Sequence, residues 1–189
     1  MSRSRGKNSL ECLLFSSPQQ RLLRALMTEP TTPQSVRIIA GKLKGVRGLG
    51  GAEGITKMLR EMAEMGLVSF VNDNREVILQ NENTVVQLLK KLCSICDLES
   101  LNQMVGPLSK RGVLYGDRAH GDDHTESTYD LFVVADEVEE VTKIVTSHPL
   151  GKKIDLTVWP AEDFAQIKRK NSKLAERVSE GIVMWASSW

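Results

Sequence analysis

The sequence has no apolar run near the ~20 residues needed to cross a bilayer, which argues against a helical membrane span. Its basic start, "MSRSRGKNSLE", does not lead into an uninterrupted apolar segment with a small-residue cleavage site, so no secretory signal is read there. Cysteine is scarce, with three in 189 residues. An odd and small number makes no disulfide framework. These absences together point to a cytoplasmic protein with no membrane partner. Aromatic residues make up only 5%. Tyr129, Phe132 and Trp159 sit in apolar runs and read as core, not as a platform for stacking bases. Trp185 and Trp189 read as packing or interface residues. What is present suffices for a fold: a hydrophobic fraction of 41% gives one domain or two small ones a real core.

The net charge of +1 hides a strong asymmetry along the chain. Residues 1–66 hold 11 Lys/Arg against 5 Asp/Glu, while residues 97–140 hold 3 against 11. The first third suits a polyanionic partner, and the middle would repel one unless cations intervened. Two modules are expected, 1–96 and 97–189.

In the first, Leu22, Leu23 and Leu26 follow "SSPQQ", a polar helix start with Pro18 in its first turn. Val36, Ile39, Ala40 and Leu43 repeat at helical spacing, as do Ile55, Met58, Leu59, Met62 and Met65, with Gly66 as a stop. "LVSFV" and "REVIL" then flank "NDN", a turn of residues that tolerate left-handed backbone. Short helices followed by a β-hairpin resemble winged helix-turn-helix transcription regulators of the ArsR/MarR type, over about residues 15–80. "LREMAEMGLVSF" looks like their recognition-helix exit into the wing. The resemblance implies double-stranded DNA as partner. The apolar spacing leaves Thr56, Lys57 and Arg60 outward on the third helix, with Arg75 at the wing. Lys42, Lys44 and Arg47 flank the preceding glycine-rich turn, and Arg3, Arg5 and Lys7 form a basic arm. Glu53, Glu61 and Glu64 oppose this reading, and a solvated charged face or a protein-binding winged helix is the alternative.

Val85, Leu88, Leu89, Leu92, Cys93 and Cys96 then form one stripe of a linking helix capped by Asn83 or Thr84. Such a stripe suits a homodimer or packing on the second module. Cys93 and Cys96 make a C-x-x-C, read as core because no second Cys/His pair lies at zinc-site spacing.

After residue 97 the expected order is α-β-β-α-β-α-α, an α/β module with a small mixed sheet. "DLESLNQMV" reads as its own short helix, and "AEDFAQIKRK" and "SKLAERVSEGIVMW" as later ones. "VLYGDRAHGDDHTESTYDLFVV" resembles the core of minimal nucleotidyltransferases of the polymerase-β-like superfamily, over about residues 98–189. Gly116 and Gly121 match the family's glycines, Ser127 its serine, Asp130 its second carboxylate and Asp155 its third. The resemblance implies Mg²⁺ as cofactor if the site is active, because two carboxylates on one strand face can hold the metals of nucleotidyl transfer. This chain departs twice. Asp117 stands at the phosphate-facing serine, and Thr128 at the first carboxylate. Asp130 and Asp155 would at most hold one ion. His120, Asp122, Asp123, His124 and Glu126 offer a transition-metal set, but nothing fixes them, and a solvated polar loop is preferred.

The sequence therefore reads as an α+β or α/β protein: a winged helix-turn-helix joined to a degenerate nucleotidyltransferase-like domain. Its expected function is transcriptional regulation, with the second domain for ligand sensing, dimerisation or partner binding, whether nucleotide or protein. An active metal-dependent nucleotidyltransferase is the alternative.

Overall fold

A computed structural model of the chain describes residues 9–187; Arg3, Arg5, Lys7 and Trp189 lie outside them. The architecture is mixed α+β with two small sheets, and the chain divides into two units. No helix among the described residues is long and apolar enough to cross a membrane.

The first unit comprises residues up to Cys96 together with Asp123–Thr125. Local capping chemistry sets its helices. Ser9 caps α1 (Leu10–Leu14). At α2 (Pro18–Leu26) the Gln20 N–H donates to Ser17 Oγ at 3.2 Å, and the Ser17 N–H donates to Gln20 Oε1 at 2.9 Å. This reciprocal pair satisfies two otherwise orphaned donors, and Pro18 costs nothing at the first helical position. Strand β1 (Gln34–Ser35) runs into α3 (Val36–Lys42). Helix α4 (Gly51–Glu64) buries Ile55, Leu59 and Met62 along one side. It stops at Gly66, whose φ of 70° lets Leu67 N–H reach Met62 O at 3.0 Å. Strands β2 (Val68–Val71) and β3 (Glu76–Leu79) form an antiparallel hairpin, and β1 pairs on β3. Its turn is Asn72, Asp73 and Asn74, all with positive φ, which short polar side chains tolerate best. Leu22, Leu26, Ile39, Ile55, Leu59 and Val68 form the fully buried centre.

Helix α5 runs without a break from Thr84 to Val105. Asn83 caps it, with Oδ1 accepting from the Val85 N–H at 2.8 Å. "DLESLNQMV" is therefore the end of α5 and not a separate helix. Nothing between Thr84 and Val105 breaks a helix until the Gly106–Pro107 pair. The expected stripe also divides. Cys93 and Cys96 are buried and Leu89 and Leu92 partly buried, whereas Val85 and Leu88 are 52% and 58% exposed. Lys90 on α5 is buried within the first unit. Its ammonium donates to Asn81 Oδ1 at 3.1 Å and to Asp123 O at 2.6 Å, with the Asp123 carboxylate 3.5 Å away. Burying an ammonium is costly unless hydrogen bonds and an opposite charge offset its lost hydration.

The second unit is built on a four-stranded sheet ordered β6-β5-β4-β7. Strand β4 (Arg111–Tyr115) pairs antiparallel with β5 (Tyr129–Ala135). Helix α7 (Val138–Ser147) makes the crossover to β6 (Ile154–Pro160), parallel to β5. Between β4 and β5 lies a one-turn helix, α6 (Asp117–His120), in what reads from sequence as loop. "AEDFAQIKRK" forms a 3-10 segment, Ala161–Gln166, and the short α8 (Ile167–Lys170). Helix α9 (Ser172–Ser179) follows. The tail corrects the helical expectation: Ile182–Ala186 is strand β7, antiparallel to β4. Gly181 ends the helix in close contact with β4, where an added Cβ would lie 2.5 Å from Leu114 O. The β-branched Ile182 and Val183 then suit the edge that β4 offers. Trp185 packs across Gly112, and its indole N–H donates to Ser109 Oγ at 2.8 Å.

Strand alternation sorts the side chains of β5. Leu131, Val133 and Ala135 enter one core with Val141 and Val145 of α7. Phe132 and Val134 enter the other, with Tyr115, Ile167 and Ala175. Tyr129 and Phe132 are buried and Trp159 packs on Phe132, which accords with the core reading of these rings.

Candidate functional site

Asp130 lies on the sheet face that Phe132 and Val134 occupy, near the start of β5. In the parallel register its Cα partner on β6 is Asp155. Register partners point to the same face, so the two carboxylates share it. Thr128, two residues before Asp130, donates its hydroxyl to Asp130 Oδ1 at 2.9 Å. The other oxygen is engaged from α9: Arg177 Nη2 lies 2.9 Å from Asp130 Oδ2. The same guanidinium lies 4.9 Å over the ring of Tyr115, which pairs with Asp130 across β4 and β5. Sequence reasoning did not single out Arg177. Its only signal was a basic residue on the amphipathic helix "SKLAERVS".

The turn before α6 completes this corner. Gly116 has φ 71° and ψ −158°, backbone that side-chain-bearing residues avoid. A Cβ there would lie 2.4 Å from Asp130 Oδ2. Glycine thus leaves room for the carboxylate and its arginine. Gly121 closes α6 in a left-handed conformation. Asp117, at the start of α6, is exposed and accepts from the Ser127 hydroxyl at 3.4 Å. Arg118 ties the base of the loop: Nε and Nη2 donate to Ser127 O at 3.2 and 2.9 Å, and the guanidinium stacks 4.0 Å over Tyr129. The structure brings Gly116, Thr128, Asp130 and Asp155 to one end of the sheet, with Asp117 and Ser127 bonded to each other on the adjoining turn.

The residues present do not fit a two-metal centre. Mg²⁺ demands near-octahedral oxygen ligands, and paired metals need a carboxylate bridging them. Here both oxygens of Asp130 already have donors, and one donor is a fixed positive charge. Thr128 supplies a hydroxyl where a second carboxylate would be needed. No group of three or more His, Cys, Asp or Glu able to hold a metal occurs among the described residues. In the histidine-rich loop, Asp123 is buried against Lys90, while His120, Asp122, His124 and Glu126 are exposed.

In the first unit, α4 presents Lys57 and Arg60 to solvent, opposite its buried side. Thr56 is partly buried and donates its hydroxyl to Ala52 O at 2.8 Å, within its own helix. Arg75 is exposed beside the hairpin turn, and Lys44 and Arg47 are exposed between α3 and α4. Lys42 differs from these. Its ammonium donates to Gln34 Oε1 at 2.8 Å and pairs with Glu29 at 3.1 Å. Arg37, exposed on α3, is a further cation the sequence reading passed over. Glu53, Glu61 and Glu64 are also exposed on α4.

Compared with known proteins, the chain matches no family model, no curated protein and no solved structure.

Proposed function

We propose that the first unit is a winged helix-turn-helix that binds double-stranded DNA, and that the protein is a transcriptional regulator. The observation that carries this reading is α4. It buries Ile55, Leu59 and Met62, turns Lys57 and Arg60 to solvent, and leads directly into a hairpin whose turn adjoins Arg75. A helix so placed can enter a major groove while the hairpin follows the phosphates. Lys44, Arg47 and Arg37 add to a positive field that favours phosphate contact over the rest of the surface. Lys42, held by Glu29 and Gln34, is the weakest of the proposed contacts.

The second unit, in this reading, is a nucleotidyltransferase-like domain without catalysis, kept for ligand sensing, dimerisation or partner binding. Arg177 on Asp130 supports that part, since it stands where a metal's charge would be required. A second reading makes the winged helix a protein-binding adaptor. It is favoured by Glu53, Glu61 and Glu64, which share the exposed surface of α4 with Lys57 and Arg60. A mobility-shift assay on duplex fragments separates the two. A retarded band that fades with added salt supports DNA binding, and no band at low salt supports the adaptor.

A further inference from the structure

The helices α1, α2 and α3 and the segment after α3 line a cleft of about 570 Å³, open to solvent on one side, in the first unit. That volume lies in the range of small-molecule sites, roughly 300–1,000 Å³. Its lining is divided by chemistry. Phe15 and Leu43, each 6% exposed, form an apolar floor with Ala25 and Val46. The polar wall holds three cations, Arg21, Arg24 and Lys42, and one carboxylate, Glu11.

Two of these cations are fixed in place. Arg24 Nε lies 3.1 Å from Glu11, with its guanidinium 5.8 Å over the Phe15 ring. Lys42 is held by Gln34 and Glu29. Arg21 has no acidic partner among the described residues. Glu11 balances Arg24 and Glu29 balances Lys42, so among the described residues one positive charge remains above the apolar floor.

We propose that this cleft binds a small organic monoanion, a carboxylate or sulfonate on an apolar body. The floor takes the apolar part out of water, and Arg21 meets the single charge with a planar fork of donors. A neutral molecule of the same shape loses the charge-assisted contact, and a polyanion carries more charge than the wall offsets. The inference does not depend on DNA binding by α4.

Cys12 makes the test direct. It lines the cleft as a free, half-buried thiol, whereas Cys93 and Cys96 are buried at 4% and 7% exposure. The full chain is treated with iodoacetamide, and alkylation of Cys12 is followed by peptide mass mapping. 2-Naphthoate is compared with neutral 2-naphthamide as protecting agent. Naphthoate should protect Cys12 about tenfold more effectively, the order set by one charged hydrogen bond. Arg21→Gln, at an exposed position, should remove that preference and leave the fold intact. Equal protection by the two compounds, no protection by naphthoate, or an unchanged preference in Arg21→Gln would each overturn the proposal.

Discussion

Arg177 and Asp130, 47 residues apart in sequence, meet at 2.9 Å at the end of the second unit's sheet. The pair joins α9 to the start of β5, at the carboxylate to which the proposed nucleotidyltransferase likeness would assign a metal ion. A guanidinium can hold phosphate oxygens, but it has no open coordination position with which to ligate and ionise an attacking hydroxyl as Mg²⁺ does. The protein, in this account, fills the charge requirement of Asp130 from within. Incubation with labelled NTPs and Mg²⁺ or Mn²⁺, together with DNA, tRNA and cell extract, should leave no labelled product. Arg177→Ala frees Asp130 Oδ2 and removes a neighbouring charge. Mn²⁺ affinity by electron paramagnetic resonance should then rise about tenfold, as expected from deleting one unit charge near the surface. Label transfer by the wild type, abolished in Asp130→Ala, would restore the enzymatic reading.

Gly116→Ala tests the geometry of the same corner. A methyl group would lie 2.4 Å from Asp130 Oδ2, on backbone at φ 71° and ψ −158°. The substitution should lower unfolding free energy by about 1–3 kcal/mol, from backbone strain and displacement of the carboxylate. Chemical denaturation gives the value, and an unchanged midpoint would show that the turn relaxes freely.

His148 gives the second unit a pH dependence. The Leu150 N–H donates to His148 Nδ1 at 3.2 Å, so the neutral ring carries its proton on Nε2 and donates to Ser100 Oγ at 2.9 Å. Burial lowers the His148 pKa below its ordinary value of 6.5. The stability it contributes is complete above that value and is lost as pH falls from 6.5 through the lower folded pKa. Thermal melts should therefore show wild type losing more than His148→Gln between neutral pH and about pH 5. Parallel losses in the two proteins would remove His148 from this role.

Val85 and Leu88 leave an apolar strip on α5 open to solvent. A twin helix is the proposed cover, as expected of a regulator reading two half-sites. Sedimentation at micromolar concentration should give about twice 21.0 kDa. Val85→Ser with Leu88→Ser should yield a monomer of unchanged thermal stability, since neither side chain is buried within the chain. A wild-type monomer would contradict the pairing.

The elements most readable in advance were those whose signals are local. The polar helix start with Pro18, the Gly66 stop and the Asn72–Asn74 turn each place their chemistry within a few residues, and each forms as the sequence suggests. The tail was misread because "GIVMW" carries strand propensity that periodicity could not separate from a helix, and only the open edge of β4 decides it. The α5 stripe is legible only as one apolar side, because spacing does not tell which part is covered within the chain and which is left exposed. Arg177 escaped notice because its partner is distant in sequence and its position on α9 has no motif. Lys42 looked like its neighbours Lys44 and Arg47 until Gln34 and Glu29 were placed beside it.

The proposal that α4 reads DNA is most directly tested by fluorescence anisotropy of labelled duplex against salt concentration, for wild type and for Lys57→Ala with Arg60→Ala. Wild type should bind at low salt and weaken steeply as salt rises, because each neutralised phosphate releases counterions. The double variant should stay folded, bind more weakly, and show a log–log salt slope shallower by about two. A folded variant with unchanged affinity and slope, or a wild type that binds no duplex at low salt, would contradict the account.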